Sequence, residues 1–219
     1  MGQHAGTTLY ARRASNLPLK AVLLLSGGFD SPVAGRMLQR QGVELEALHC
    51  SFEPVTDDAS VRKAETLARQ MGLRRLWVAR IGEALGRIPH DREAHRYYFL
   101  LQKRLFYRLA DAVADQVGAD AIATGENLGQ VSSQTLPNLV TLEQAARRPI
   151  LRPVLGLDKV DIIRLAKEWG THDTSVGPEL CDLLGPTYPA TTSAAAVVQA
   201  AESRIGLERD LPTIECVTL

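Results

Sequence analysis

Four apolar residues in a row, Val22 to Leu25, stop abruptly at Ser26-Gly27-Gly28, and an apolar run resumes just beyond Pro32. A short unbroken apolar run bounded by turn residues marks a buried strand, so Lys20 to Leu25 is read as strand one. Pro32 fits a first helical turn, where a missing N–H costs nothing, and the helix runs from Ser31 to Arg40 with Gly42 as its C-cap. The alternation then recurs. Val43 to Cys50 is strand two. Asp57 or Asp58 caps a helix through Val61, Ala64, Leu67, Ala68 and Met71 that closes at Gly72, and Arg75 to Ile81 is strand three.

A polar connection, Gly82 to Arg92, leads into a long helix over Glu93 to Val117. Its core stripe is Leu101, Leu105, Leu109, Val113 and Val117, spaced every four residues. Asp120 to Thr124 is strand four, followed by a second glycine-bearing turn, Gly125 to Gln130. Val131 to Gln134 and Leu139 to Arg147 read as helical, broken at Pro137, and Pro149 to Pro153 is a short strand five. Asp158 caps a helix with Val160, Ile163, Leu165, Ala166 and Trp169 on its buried side. Strands alternating with helices through short connections predict a doubly wound, Rossmann-like α/β fold: a five-stranded parallel sheet with helices on both faces.

Beyond Thr171 the pattern loosens. Gly177, Pro178, Gly185, Pro186 and Pro189 punctuate a loop region, then come a helix near Ser193 to Arg204 and a short tail. The predicted division is a flexible N-terminal segment (1–18), the α/β domain (19–175) and a C-terminal arm (176–219) carrying Cys181 and Cys216. At 219 residues this is one domain plus a tail.

Composition changes this picture little. Acidic and basic residues balance at 25 each, so the global charge of a nucleic-acid binder is absent, although local patches are untouched by that count. No apolar run reaches the roughly 18 residues of a membrane span, and the first residues lack the apolar core of an export signal, so the expectation is cytoplasmic. The three cysteines, Cys50, Cys181 and Cys216, form no CxxC pair. That argues against a cysteine-pair zinc site and for reduced thiols. An iron–sulfur cluster would require all three to meet in space.

Chemistry gathers where the strands end. In an open parallel sheet, ligands bind outside the carboxyl ends of the strands, near the point where strand order reverses. Ser26 to Ser31 follow strand one. Gly27 and Gly28 allow positive φ and close approach, and the helix that follows offers free N–H groups and a positive dipole end to an anion. His49 and Cys50 end strand two, Gly125 to Gln134 follow strand four, Lys103 and Arg104 lie on the long helix, and Arg152 follows strand five. This convergence predicts a nucleotide between strand ends one and four, its phosphates on the Ser-Gly-Gly turn.

The string SGGFDS resembles the pyrophosphate loop (PP-loop) of the ATP pyrophosphatase superfamily and differs from the GxxxxGK[ST] P-loop. SGGFDSPVAGRML, ELEALHCSF, TGENLGQVSSQTLPNL and RPILRPVLGLDKVDIIRLAKEWGT together resemble the PP-loop domain of the tRNA 4-thiouridine synthetases (tRNA sulfurtransferases, ThiI type, also tied to thiamine biosynthesis). The likeness covers roughly Lys20 to Asp182. It implies an adenine nucleotide alpha hydrolase-like fold and an enzyme that cleaves ATP to AMP and pyrophosphate. A uridine O4 of tRNA is adenylated, and a cysteine persulfide then delivers sulfur to the activated carbon.

The resemblance also implies residues. The Leu24 and Leu25 backbone, with His49 and Cys50, would frame adenine and ribose. Ser26, Gly27, Gly28, Asp30 and Ser31 would hold the phosphates, with Asp30 catalytic and the carboxylate for Mg²⁺. Gly125 and Gln134 would contact the nucleotide, and Lys103 or Arg104 would reach the phosphates or the adenylate. Cys181, in the string Pro178-Glu179-Leu180-Cys181, would carry the sulfur; Cys216, on a mobile tail, or Cys50 would resolve the persulfide, with Cys216 preferred. Implied partners are tRNA, presented by a separate RNA-binding module, a sulfur donor such as a cysteine desulfurase or sulfide, and a second copy in a homodimer.

The sequence departs from the family at Cys50, where phenylalanine is usual, and over Val55 to Ser60. With about 25 residues before the loop and a short tail after Cys216, the expectation is a form of the domain without the family's N-terminal THUMP module and without the rhodanese domain that some members carry. Two other readings stay open: a PP-loop enzyme that thiolates or amidates a small molecule, and a non-catalytic nucleotide-sensing subunit.

Overall fold

The computed structural model describes residues 18–177 and 183–219; the segment 1–17 and the stretch 178–182, with Cys181, lie outside them. Six strands form one sheet: β1 (Lys20–Leu24), β2 (Glu44–Ser51), β3 (Arg75–Arg80), β4 (Ala121–Ala123), β5 (Ile150–Leu151) and β6 (Ile214–Thr218), in the order β5-β4-β1-β2-β3-β6. The first five run parallel, as predicted. The sixth corrects the expected count: β6 pairs antiparallel to the outer edge of β3, Cys216 opposite Trp77. A segment read as a loose tail is therefore fixed in the sheet. Its Ile, Val and Thr residues suit a strand, but on an edge it carries Glu215 and lacks the apolar run that marks the inner strands.

Successive residues of the central strands point to opposite faces. Val22, Leu48, Trp77 and Ala79 pack under one face, and Ala21, Leu23, Ala47, Leu76 and Val78 pack on the other. The second face is covered by α1 (Asp30–Arg40) and α2 (Ala59–Gln70). Gly35 lets α1 lie close to the sheet, since a Cβ there would sit 2.4 Å from Met71 Cε and 2.6 Å from Leu23 Cδ2.

On the other face, the predicted polar connection is two short turns of helix, α3 (Gly82–Gly86) and a 3₁₀ turn (Ile88–His90). They bury Leu85 and Ile88. The predicted long helix is two helices. The first, α4 (Arg92–Arg96), is capped by Asp91, which accepts from the backbone N–H groups of Glu93 and Ala94. The second, α5 (Tyr98–Val117), ends at Gly118 in the left-handed conformation. Its stripe of Leu101, Leu105, Leu109 and Val113 is fully buried.

After β4, a 3₁₀ turn (Ser132–Gln134) leads into α6 (Leu136–Glu143). Pro137 opens this helix instead of breaking it, because its first turn requires no N–H there. In α7 (Lys159–Glu168) the buried pair is Ile162 and Ala166, packed on Val33 and Ala34 of α1. Val160, expected inside, is 78% exposed, since two residues before Ile162 is about 200° around a helix. After the short α8 (His172–Ser175) comes α9 (Ala195–Arg204), which buries Val198 and Ala201 in the main core.

An ion cluster locks α9 in place. Glu202 is fully buried and accepts from Arg104 Nε and Nη2 at 2.9 and 2.6 Å, and from Arg108 Nε at 2.9 Å. Arg104 Nη1 also donates to the Thr141 carbonyl at 2.7 Å. No helix among the described residues is long and apolar enough to cross a membrane.

Candidate nucleotide-activating site

Strand order reverses at β1. The chain moves outward from β1 through β2 to β3, and on the opposite side from β4 to β5. The crevice therefore lies between the carboxyl ends of β1 and β4, and the loops leaving both strands meet there. Gly125, just past β4, presses against the first turn of α1: a Cβ there would lie 2.4 Å from Ser31 N and 2.6 Å from the Asp30 carbonyl carbon. Only glycine permits that contact.

The loop itself is tied by its serines. Ser26 N–H donates to Ser31 Oγ at 2.8 Å, the two hydroxyls lie 3.0 Å apart, and Gly28 N–H reaches Ser26 Oγ at 3.3 Å. No side chain caps the start of α1, so its dipole end faces the crevice without a resident acceptor. Asp30 is gripped by a residue that the sequence reasoning did not single out. Lys159 Nζ, at the start of α7, lies 2.9 and 3.2 Å from its two carboxylate oxygens and stands over the Phe29 ring. The only sequence signal for Lys159 was its place inside the RPVLGLDK string. A second lysine, Lys63 of α2, runs beside Gly27, where a Cβ would stand 3.0 Å from its Cδ, and donates to the Ser175 carbonyl of the helix His172–Ser175 at 3.0 Å.

His49 is buried at the end of β2. Its Nδ1–H donates to the Leu25 carbonyl at 2.9 Å, and Nε2 accepts from Ser60 Oγ at 3.2 Å. Burial pushes the imidazole pKa down, outweighing the Leu25 carbonyl and the Glu53 charge, so the ring is neutral. It braces the Leu24–Leu25 backbone from below.

Beneath the β4 loop lies a second buried cluster. Glu126, 4% exposed, accepts from Lys103 Nζ at 2.9 Å, Tyr107 OH at 2.5 Å and Arg152 Nε at 2.8 Å. Arg152 also pairs with Glu143. Burial pushes the Glu126 carboxyl up, but Lys103 and Arg152 outweigh it and hold it at about 2. Lys103 thus reaches the β4 loop. Arg104 does not: one residue is about 100° of helix rotation, which turns it into the Glu202 cluster. In the 3₁₀ turn, Gln134 Oε1 is buried without a hydrogen-bond partner. Such an atom costs free energy until something donates to it.

The cysteines are dispersed. Cys50 and Cys216 stand on strands separated by β3, about 10 Å at the usual strand spacing, too far for a disulfide without backbone movement. Burial pushes the Cys50 thiol far up. Cys216 is exposed but held in β6, three strands from β1. With Cys50 and Cys216 a strand apart, the structure gives no support to an iron–sulfur cluster on all three cysteines. Among the described residues no group of three His, Cys, Asp or Glu side chains could hold a metal. Asp30 is the carboxylate of the Ser26–Ser31 loop, and it is paired with Lys159; Mg²⁺ sites can use one or two carboxylates and complete their shell on phosphates.

A tight serine-glycine loop feeding an uncapped helix, at the switch point of a doubly wound sheet, defines a nucleotide-binding α/β domain of the PP-loop class. Within that class, the chain belongs to the Thiamine biosynthesis protein (ThiI) family, whose model matches residues 18–207. The chain is 38% identical over 195 residues to the probable tRNA sulfurtransferase of Nocardia farcinica, covering 86% of this chain and 47% of that protein. To the Thermus thermophilus counterpart it is 39% identical over 206 residues, covering 91% and 49%. It thus spans about half the length of the curated relatives it matches. Its fold superposes on a crystal structure of a 4-thiouridine synthetase–RNA complex with bound ATP (TM-score 0.81, 35% identity, 90% of this chain and 55% of that one). It also shares a fold with the NMN synthetase of Francisella tularensis (TM-score 0.58, 16% identity, 96% and 94%).

Proposed function

We propose that this chain is the ATP-using, sulfur-transferring part of a tRNA thiolation enzyme that forms 4-thiouridine. The observation that carries the reading is the Ser26–Ser31 loop at the β1–β4 switch point, in a chain 35% identical to a 4-thiouridine synthetase whose structure holds ATP and RNA. ATP lays its phosphates on the loop N–H groups and the first turn of α1, where donors and dipole favour negative charge. Lys159 exchanges part of its hold on Asp30 for the phosphates, and Asp30 is the side chain that would hold Mg²⁺. That ion screens the phosphate charge when bound. Gln134 Oε1 accepts from an N–H of the nucleotide or of the acceptor base.

The uridine O4 attacks the α-phosphorus and pyrophosphate leaves. The terminal sulfur of a Cys181 persulfide, loaded by a separate sulfur donor, then attacks C4 and AMP leaves. A second thiol takes the Cys181 sulfur as a disulfide, releasing the thiolated base. Cys216, exposed on β6, or Cys50 is a candidate for that thiol, as is a thiol from another protein or module.

The test is purified Cys181→Ser assayed with ATP, tRNA and a persulfide source. Pyrophosphate release should persist while 4-thiouridine, read by nucleoside mass spectrometry, disappears. Full thiolation by this variant would end the sulfur-carrier assignment. Pyrophosphate release that ignores tRNA and answers to a small acceptor would end the tRNA assignment.

A further inference from the structure

We infer that Lys63 reads the pyrophosphate half of the nucleotide, so that this site distinguishes ATP from AMP through α2 as well as through the loop. The inference rests on the ATP reading above and adds a residue to it.

Three lysines converge on the crevice, and two of them face carboxylates: Lys159 on Asp30 and Lys103 on Glu126. Lys63 differs. It is half-buried, no carboxylate of the described residues lies within ion-pair distance of it, and its hydrogen-bond partner there is a neutral one, the Ser175 carbonyl at 3.0 Å. For an ammonium held by a neutral carbonyl, an anion within reach is a stronger, charge-assisted partner.

The loop is shaped around this side chain. A Cβ at Gly27 would stand 3.0 Å from Lys63 Cδ and 3.6 Å from its Nζ. The lysine stem thus lies along the bare face of Gly27, and the ammonium emerges beside the loop. Ser175 completes the arrangement: its carbonyl holds Lys63, and its hydroxyl donates to the Gly28 carbonyl at 3.3 Å. One residue of α8 therefore parks the lysine and fastens the loop. Placing β- and γ-phosphates on the loop lets Lys63 turn from Ser175 to the phosphate oxygens. AMP carries no such phosphates.

The experiment measures binding of ATP, inorganic pyrophosphate and AMP to the full chain by calorimetry. Lys63→Met should weaken ATP and pyrophosphate by roughly 10- to 100-fold, the range of a hydrogen bond to a charged group. AMP affinity should stay within about twofold, and Lys63→Arg should recover part of the loss. Equal losses for ATP and AMP would assign Lys63 a structural role, and no loss for either would remove it from the site; both overturn the inference.

A second measurement needs no variant. Amine acylation of the wild-type chain, read by peptide mass spectrometry, should be slowed at Lys63 by ATP and pyrophosphate but not by AMP. Equal protection, or none, refutes it. If the wild-type chain binds neither ATP nor pyrophosphate, the ATP reading itself falls. If it binds both and Lys63→Met does not discriminate, only the lysine assignment falls.

Discussion

Gly125→Ala isolates the joint between the two halves of the sheet. The added methyl meets three backbone atoms, Ser31 N at 2.4 Å, the Asp30 carbonyl carbon at 2.6 Å and Ser31 Cα at 2.7 Å, none of which can rotate away. Reaching the 3.4 Å of ordinary contact requires the β4 loop and the first turn of α1 to part by about 1 Å. Overpacking of this kind costs about 1–3 kcal/mol, and for a chain of this size each kcal/mol lowers the melting temperature by roughly 2–4 °C. The effect on activity should be larger than that on stability. A 1 Å misplacement of reacting groups can cost on the order of 100-fold in rate, and this displacement moves the Ser26–Ser31 loop relative to Gln134. Differential scanning calorimetry and pyrophosphate release with tRNA should therefore show a modest drop in melting temperature beside a roughly 100-fold loss of turnover. A variant that melts lower but turns over normally would show that the two loops are not jointly part of the site.

Three further outcomes follow from buried charge and thiol environment. Glu202→Ala leaves the Arg104 guanidinium buried and unpaired, which should cost about 3–5 kcal/mol in urea unfolding; an unchanged midpoint would show that the cluster contributes nothing. For Glu126, the folded carboxyl titrates near 2 against an ordinary 4.5. The unfolded chain then takes up the proton first, so stability present above about pH 4.5 is lost as pH falls toward 2, by roughly 3 kcal/mol. Glu126→Gln should flatten that part of the acid-unfolding curve, and an unaltered slope would contradict it. In the native chain iodoacetamide should label exposed Cys216 well before Cys50, whose thiol burial keeps protonated; peptide mass spectrometry showing equal rates would refute this.

The sheet and the loop were readable because each rests on a local pattern. Val22–Leu25 followed by SGG marks a buried strand and its turn, and the four-residue spacing from Leu101 to Val113 marks the face of α5 that is buried. What escaped was non-local. Nothing around Arg104 signals a carboxylate 98 residues away, so it was read as a phosphate ligand beside Lys103. Lys63 and Lys159 sat in helices read only for their apolar faces. β6 depends on pairing with β3, and five residues with one charge do not announce an edge strand. Val160 was misplaced because a helix with apolar residues at adjacent positions fits two registers, and only packing on Val33 and Ala34 selects one.

The β1–β4 pairing also bears on how the chain acquires its site. Lys20 N–H bonds to Asp120, a separation of 100 residues, and Val22 aligns with Ile122. The whole segment from α1 to α5 separates those two neighbouring strands in sequence, so they can pair, and the crevice at their ends can form, only by closing that long loop. Long-range parallel pairing of this kind slows folding, because loop-closure entropy is lost before contacts compensate it. A chain caught with β1, β2 and β3 assembled but β4 undocked would own the glycine loop and still lack the wall formed by Gly125. On that ground nucleotide retention during refolding should rise with the slowest kinetic phase. It would serve as a reporter of the completed topology, and saturating ATP would trap only molecules that had closed the sheet.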